Sequence, residues 1–153
     1  MNVTIYCDGA SRGNGKADAI GAYGTIIQFI DRNGKLHEKE LTEAFKGVTN
    51  NQMELLGAIK GLEVLKVPCK VTLYSDSKYL CDAINKRWLE GWKTKGWINS
   101  SKQPVKNKEL WEKLHSMLMV HNVEFIWVKG HASNEGNNRA DKLCNISMNN
   151  FKI

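Results

Sequence analysis

The chain has 153 residues, enough for one domain with its own hydrophobic core, and its 42% apolar and 25% charged residues exclude a disordered protein. The net charge of +6 at pH 7 indicates either a polyanionic partner or a solvated basic surface. The longest mostly apolar run, residues 20–30, is too short and too often interrupted to span a membrane, and the N-terminus lacks a signal-peptide pattern, so the sequence predicts a cytoplasmic protein.

Residue periodicity predicts five strands and four helices. In chain order, the predicted strands cover residues 2–8, 20–30, 35–45, 70–76 and 123–130. The predicted helices cover residues 50–66, 77–84, 105–120 and 135–147. The Asn33-Gly34 pair predicts a hairpin between the second and third strands, and Thr49 or Asn50 is placed to cap the first helix.

This order of elements predicts an α/β fold with one mixed sheet and helices on its faces. The first, fourth and fifth strands are expected to run parallel, joined by right-handed crossovers. Ligands of such sheets bind at the carboxyl ends of the parallel strands, so polar residues at that edge are the first candidates for a site. We find no repeat or linker in the sequence, which predicts a single domain over residues 1–153.

Two aspartates come at the ends of predicted parallel strands. Asp8 follows the first strand in "VTIYCDG", and Asp76 ends the fourth strand in "LYSD". An acid at the end of a single strand is usually only a turn residue or a helix cap. If the two strands are neighbours, however, their carboxylates lie side by side at the same edge of the sheet.

Two further acids and a histidine are candidates for the same site. Glu54 lies on the apolar face of the first predicted helix, although a glutamate near a helix start also complements the helix dipole. Asp141 lies at the rim of the apolar stripe of the last helix, where the alternative is a plain surface acid. His131 follows the fifth strand in a glycine-containing loop, and a lone loop histidine is more often an incidental surface residue than a catalyst.

Clustered carboxylates repel one another and raise each other's pKa unless a cation lies among them. Mg²⁺ prefers oxygen ligands and binds through a few carboxylates together with substrate phosphates. Two such ions about 4 Å apart stabilise the attacking and leaving oxygens of a phosphoryl displacement. The acids therefore predict a magnesium site for phosphoryl-transfer chemistry.

The positive charge is concentrated between Lys86 and Lys113, where eight Lys or Arg residues outnumber three Glu residues. Such a stretch is a candidate surface for nucleic acid. The four cysteines show no zinc-ligand spacing and are expected to be buried or half-buried thiols.

Five blocks of the sequence, spread in order over nearly the whole chain, resemble ribonuclease HI of the bacterial type. They are YCDGASRGNG, TNNQMELLGAIKGLE, LYSDSKYL, KRWLEGWKTKGWINSSKQPVKNKELW and WVKGHASNEGNNRADKL. The resemblance implies a five-stranded mixed sheet in the order 3-2-1-4-5, with helices on both faces. It also implies an endonuclease that hydrolyses the RNA strand of RNA–DNA hybrids and leaves 5′-phosphate and 3′-hydroxyl ends.

The resemblance implies a role for each candidate catalytic residue. The four acids would hold two Mg²⁺ ions, with Mn²⁺ as the alternative ion. Asp8 would bridge both ions, and Glu54 and Asp76 would favour one of them. Asp141 would help to hold the ion that activates water, and His131 would assist proton transfer or product release.

Substrate contacts are also implied by the resemblance. Asn14, Asn50 and Asn51 match residues that face the minor groove, where the 2′-hydroxyl distinguishes RNA from DNA. Thr49 and Asn107 match the pocket that holds a phosphate of the DNA strand. Many members carry an Arg near that pocket, and here a glycine takes its place at position 47. This departure concerns how strongly the pocket would bind the DNA-strand phosphate, and it does not concern the cleavage chemistry at the acids.

The basic segment at about 85–104 resembles the protrusion, or handle, of the bacterial enzymes. Trp88 is expected to contact the groove of the hybrid, and Lys93 and Lys95 are expected to contribute salt-sensitive affinity. Core packing of the segment is the expected role of its other two tryptophans, Trp92 and Trp97.

Two other functions remain open at this level. One is another nuclease or a polynucleotidyl transferase on the same fold, such as an integrase or resolvase, since a fold alone does not fix the activity. The other is a module that binds hybrids without cutting them, although none of the four acids is missing. The expected partner is an RNA–DNA hybrid duplex, with no membrane and no obligate protein partner, and the chain is expected to be a monomer.

Overall fold

A computed structural model of the chain describes residues 1–130 and 134–151. The strands are β1 (Asn2–Arg12), β2 (Ile20–Ile30), β3 (Leu36–Lys46), β4 (Lys70–Ser75) and β5 (Asn122–Trp127). The helices are α1 (Asn50–Glu63), α2 (Lys78–Asn85), α3 (Trp88–Thr94), α4 (Lys108–Leu118) and α5 (Glu135–Asn149). No helix in this part of the chain is both long enough and apolar enough to cross a membrane.

The five strands form one sheet in the order β3-β2-β1-β4-β5, as the resemblance implied. The first three strands are paired antiparallel, and the β1–β4 and β4–β5 pairs are parallel. Consecutive residues of β2 face opposite sides of the sheet: the Thr25 hydroxyl donates to the Gly57 carbonyl of α1 at 2.7 Å, whereas Gly24 abuts Ala140 of α5. Helices therefore cover both faces, and the predicted fold is confirmed.

The first strand is longer than the sequence pattern predicted. The parallel ladder with β4 ends at the Tyr6–Tyr74 pair, but β1 continues to Arg12 because its next residues stay paired with β2. The prediction that Asp8 ends the strand is therefore wrong. Asp8 lies two residues beyond the parallel ladder, on a strand that the antiparallel neighbour still supports.

Helix α3 was not predicted. It has only seven residues and starts after Arg87, whose backbone is left-handed with φ of 61° and whose side chain makes no capping hydrogen bond. A helix this short carries too little periodicity to be detected. The remaining elements occur where they were expected, with ends that differ by a few residues.

The main core lies between the sheet and helices α1, α2 and α4. Its largest fully buried side chain is that of Trp111, whose indole N–H donates to the Tyr79 hydroxyl at 3.0 Å. All four cysteines are buried free thiols, as predicted. Burial raises the pKa of the Cys81 thiol to about 12, which keeps it protonated and unreactive at neutral pH.

Strand β2 and helix α5 are in contact at Gly24, with no side chain between them. A methyl group at this position would overlap the Ala140 carbonyl oxygen and lie 3.0 Å from Leu143 Cβ. We therefore expect Gly24→Ala to lower the free energy of unfolding by ~1–3 kcal/mol, because the helix would have to move away from the sheet. Urea denaturation of the two proteins measures this difference.

Gly91→Ala is the matched control for that measurement. Gly91 lies in α3, and a methyl group there would have no atom within 4 Å. Its replacement should leave the stability unchanged or raise it by up to about 1 kcal/mol. Equal losses at the two positions would show that Gly24 has no special packing role.

Candidate active site

Four acidic residues reach one end of the sheet from four different elements. Asp8 lies on β1, Asp76 directly follows β4, Glu54 lies in α1 and Asp141 lies in α5. Because β1 and β4 are neighbours in the sheet, their two aspartates lie side by side. The sequence expectation that two strand-borne carboxylates meet at one edge is confirmed.

A glycine contact brings Glu54 to the aspartates. A methyl group on Gly9 would overlap the backbone carbonyl carbon of Met53 and the backbone nitrogen of Glu54. One turn later, a methyl group on Gly57 would lie 3.2 Å from the Asp8 carbonyl oxygen. Since only backbone separates α1 from β1 here, the helix lies close to the strand and places Glu54 next to Asp8.

The carboxylates of Asp8, Glu54 and Asp76 form a tight group, in which one oxygen from each lies within 4.8 Å of the others. Asp8 is only 5% exposed and Glu54 only 7%, whereas Asp76 is half-buried. Asp141 is half-buried and lies outside this group, but within hydrogen-bonding reach of Asp8. All four acids line one open pocket of about 420 Å³.

The grouping is electrostatically unfavourable for the protein on its own. Burial raises the pKa of Asp8, and the negative charges of Glu54 and Asp76 raise it further. Burial also raises the pKa of Glu54, with Asp76 as the next cause. Both carboxyls are thus biased towards the protonated, neutral form unless a positive charge lies among them.

The donor set fits a hard divalent cation. Glu54 Oε1 is buried and has no hydrogen-bond partner among the described residues. A buried carboxylate oxygen without a partner is costly, and metal coordination is one way to satisfy it. Carboxylate oxygens are the ligands that Mg²⁺ and Mn²⁺ prefer, and the open side of the pocket leaves room for water and a phosphate.

The three asparagines predicted to contact substrate lie close to this site. Asn50 and Asn51 line the pocket of the acids. Asn14 Oδ1 accepts a hydrogen bond from the Asn50 N–H at 2.9 Å, which ties the loop after β1 to the start of α1. Thr49 is the N-cap of α1, and its hydroxyl accepts from the Gln52 N–H at 3.2 Å. Of the two capping candidates, the structure selects Thr49.

The residues matched to the phosphate pocket are built into turns. Asn107 precedes α4 with a left-handed φ of 61°, and its Nδ2 donates to the Tyr79 hydroxyl at 3.2 Å. Tyr79 itself lines the pocket of the acids. Gly47 has a φ of 74°, and its N–H donates to the Ala19 carbonyl at 2.6 Å. An Arg at position 47 would be strained in this backbone, so the glycine suits the local turn.

The handle presents one tryptophan to solvent and packs the other two. Trp88 is 44% exposed, with the Lys86 ammonium 5.5 Å from its ring centroid. Trp92 and Trp97 pack against the main core, as predicted. The two lysines expected to contact the hybrid are both exposed, Lys93 and Lys95.

Sequence reasoning missed three residues around Asp76. Lys78 lines the pocket, the Trp127 indole N–H donates to the Asp76 carbonyl at 3.0 Å, and Gly130 abuts the Asp76 carboxylate. Trp127 and Gly130 belong to the start of the block WVKGHASNEGNNRADKL, but no local pattern in the sequence links them to Asp76. His131, the predicted loop histidine, lies outside the described residues.

Comparison with known families and sequences gives a consistent result. The family model described as RNase H matches residues 1–148. A ribonuclease H of Clostridium botulinum is 52% identical over 151 residues, covering 99% of this chain and 98% of its own length. A ribonuclease H of Francisella philomiragia is 49% identical over 147 residues, covering 96% of this chain and 91% of its own.

Solved structures show the same fold. The crystal structure of LC9-RNase H1, a type 1 RNase H with the type 2 active-site motif, matches with a TM-score of 0.85 and 26% identity, covering 97% of this chain and 72% of its own. The foamy viral protease-reverse transcriptase in complex with an RNA/DNA hybrid matches with a TM-score of 0.81 at 17% identity, covering 95% of this chain and 20% of its own. The second likeness concerns the fold alone.

Proposed function

The chain belongs to the ribonuclease H family, and from this premise we propose that it hydrolyses the RNA strand of RNA–DNA hybrids with two divalent metal ions, leaving 5′-phosphate and 3′-hydroxyl ends. The protein is a hydrolase and an endonuclease, and its family uses divalent metal. One observation carries the mechanistic part of the proposal: four acids from separate elements line a single open pocket, and a buried oxygen of Glu54 lacks a partner among the described residues.

The arrangement of the acids suggests how two ions would be held. Asp8 is close to Glu54 and Asp76 and also interacts with Asp141, so its carboxylate would serve both ions. Glu54 and Asp76 would complete one ion site, and Asp141 would complete the other. When bound, such ions activate a water nucleophile and neutralise charge on the leaving oxygen. We propose Mg²⁺ as the ion, with Mn²⁺ as a substitute.

The protein's own residues supply positioning around those ions. The side-chain amides of Asn50 and Asn51, at the rim of the pocket, would hydrogen-bond the minor-groove edge and 2′-hydroxyls of the RNA strand. Asn14 would hold Asn50 in place through its hydrogen bond. Thr49 and Asn107 would bind a DNA-strand phosphate, and His131 would assist proton transfer or product release, both by resemblance to the family.

The remaining assignments concern the organisation of the protein. We propose that the chain acts as a single domain and as a monomer, without an obligate protein partner, in the cytoplasm. The handle would replace a separate hybrid-binding domain by adding a basic surface with an exposed tryptophan, Trp88.

Digestion of defined duplexes tests the proposal. An RNA–DNA hybrid, an RNA duplex and a DNA duplex of one sequence are incubated with the protein in Mg²⁺ and in EDTA, and the fragment ends are identified. We expect cleavage of the RNA strand of the hybrid only, dependent on Mg²⁺, with 5′-phosphate ends. Equal cutting of all three duplexes would favour another nuclease of this fold, and tight hybrid binding without cutting would favour a binding module.

Neutralising the handle should weaken binding in a salt-dependent way. Lys93 and Lys95 are exposed on the handle and carry the proposed phosphate contacts. Replacing both with Met is expected to reduce the slope of log affinity against log salt concentration by about one unit for each phosphate that the protein no longer neutralises. Fluorescence anisotropy of a labelled hybrid in EDTA, at several KCl concentrations, measures the slope without cleavage.

The control pair is Lys39→Met with Lys66→Met, which changes the net charge by the same amount. These exposed lysines line a pocket with Met1 and Val3, at the end of β1 remote from Asp8. Their replacement should leave the slope almost unchanged. If both pairs of substitutions reduced the slope equally, net charge would govern the affinity for the hybrid, and specific contacts by the handle would not.

A further inference from the structure

The segment that leaves β5 wraps around Asp76. The β4–β5 ladder ends at the Ser75–Trp127 pair, so Asp76 has no partner in the ladder. The Val128 N–H then donates to the Ser75 carbonyl at 2.9 Å, and the Trp127 indole N–H donates to the Asp76 carbonyl at 3.0 Å. Two hydrogen bonds from this segment thus hold the carbonyls of the two peptide groups that flank the Cα of Asp76.

The same segment also confines the carboxylate. A methyl group on Gly130 would lie 2.7 Å from Asp76 Oδ2 and 3.6 Å from its Cβ. This oxygen is therefore packed against bare backbone, and a side chain at position 130 would push it aside. Trp127 and Gly130 together limit both the backbone position and the carboxylate orientation of Asp76.

Core packing does not account for Trp127. The residue is 43% exposed, so much of its apolar surface remains in water. One face of the ring lies under the Lys78 ammonium, 5.0 Å from the ring centroid. Lys78 comes two residues after Asp76 and lines the same pocket, so the indole is held by a cation on one side and by the Asp76 carbonyl at its edge.

We propose that Trp127 and Gly130 are positioning residues that act through Asp76 and set the affinity of the site for its metal ion. This inference rests on the proposed function, because it takes Asp76 as a metal ligand. A ligand that is fixed in advance loses less freedom on binding the ion, and residues that orient a ligand commonly change metal affinity by about 10–100-fold when they are replaced. Neither residue needs to touch the hybrid for this effect.

Two variants test the proposal in different ways. Trp127→Phe removes the indole N–H and keeps an aromatic ring for Lys78, and Gly130→Ala adds the methyl group that would displace Asp76 Oδ2. Isothermal titration calorimetry of Mn²⁺ with the hybrid-free variants should give dissociation constants about tenfold larger than that of the wild type. In cleavage assays the Mg²⁺ concentration for half-maximal rate should rise by a similar factor, with KM for the hybrid unchanged at saturating Mg²⁺.

Trp88→Phe is a closely matched control. Trp88 is 44% exposed and also carries a lysine over its ring, but it lies in the handle, away from the lining of the acid pocket. Its replacement should leave Mn²⁺ affinity at the wild-type value, whatever it does to hybrid binding. A purely structural role of Trp127 would lower the melting temperature without changing Mn²⁺ affinity.

The outcomes distinguish failure of the positioning role from failure of the proposed function. Wild-type Mn²⁺ affinity in both Trp127→Phe and Gly130→Ala would overturn the positioning role, even if the wild-type protein cleaves hybrids. Should Trp127→Phe fail to fold, Gly130→Ala alone decides the question. Failure of the wild-type protein to cleave hybrids would instead refute the proposed function, and the titration of Mn²⁺ would still report whether this segment controls the acids.

Discussion

Asp8→Asn is expected to lower the rate of hybrid cleavage by at least about a thousandfold while leaving the fold intact. Asp8 is the carboxylate that groups with Glu54 and Asp76 and also interacts with Asp141, so its loss should weaken both proposed ion sites. Loss of one preorganised group that stabilises transition-state charge costs about 10²–10³ in rate, and a ligand shared by two ions should cost more. Single-turnover cleavage in Mg²⁺ measures the effect.

Hybrid binding separates a catalytic loss from a structural one. The substrate contacts proposed for Asn50, Asn51 and the handle do not involve Asp8, so the affinity of Asp8→Asn for a labelled hybrid in EDTA should be close to that of the wild type. Asp82→Asn is the control for the amide substitution itself, because Asp82 lies on α2 and pairs only with Lys86 among the described residues. Full Mg²⁺-dependent activity of Asp8→Asn would rule out the metal-ligand assignment.

In the absence of metal, the folded protein should lose stability as the pH rises from about 5 to 8. Asp8 and Glu54 have pKa values raised by burial and by neighbouring carboxylates, whereas in the unfolded chain they ionise near pH 4. Between those limits the folded state binds more protons than the unfolded state, so the free energy of unfolding falls with pH. Each group contributes up to about 1.4 kcal/mol per pH unit.

Thermal denaturation in EDTA, at several pH values, tests this expectation. Asp8→Asn should be more stable than the wild type at pH 8 by at least about 1 kcal/mol, because it removes one of the raised carboxyls. Mg²⁺ should raise the wild-type melting temperature more at pH 8 than at pH 5, since the ion competes with the protons. A wild-type stability in EDTA that is level or rises over this range would contradict the electrostatic argument.

Other titrating groups do not obscure that comparison. The lowered pKa values of Asp31, Glu38 and Glu63 act below about pH 4.5, outside the range used. The pKa of His115 is lowered, mainly by burial, so this residue adds stability as the pH rises towards 6.5 and acts in the opposite direction. Because Asp8→Asn keeps His115, the difference between the two proteins cancels its contribution.

The sequence predicted the elements with a long, clear pattern and missed the short helix α3 and the features that depend on contacts between distant residues. Strand β2 was found with its observed bounds because its β-branched and aromatic residues form a continuous run. The extension of β1 beyond Asp8 was missed because residues 9–12 form a strand only through pairing with β2. A single-residue pattern carries no information about that partner.

The candidate site divides in the same way. The four acids were found because each follows or lies within a recognisable element and because the order of blocks resembles a known family. Trp127 and Gly130 were not found, since their relation to Asp76 exists only after β4 and β5 have paired. The hydrogen bond between Asn14 and the start of α1 depends likewise on the folded loop.

The glycines that touch α1 and α5 have a consequence for how such a chain diverges. At Gly9 and Gly24 the strand approaches the main chain of a helix directly, because neither glycine places a side chain between them. Substitution of one aliphatic residue for another elsewhere in the core should therefore change the melting temperature of the protein. Such a substitution should have less effect on the distances between the acids. Substitutions in the hydrophobic core can therefore accumulate while the acids keep their positions, since backbone contacts at the two glycines help to set the distances between the acids.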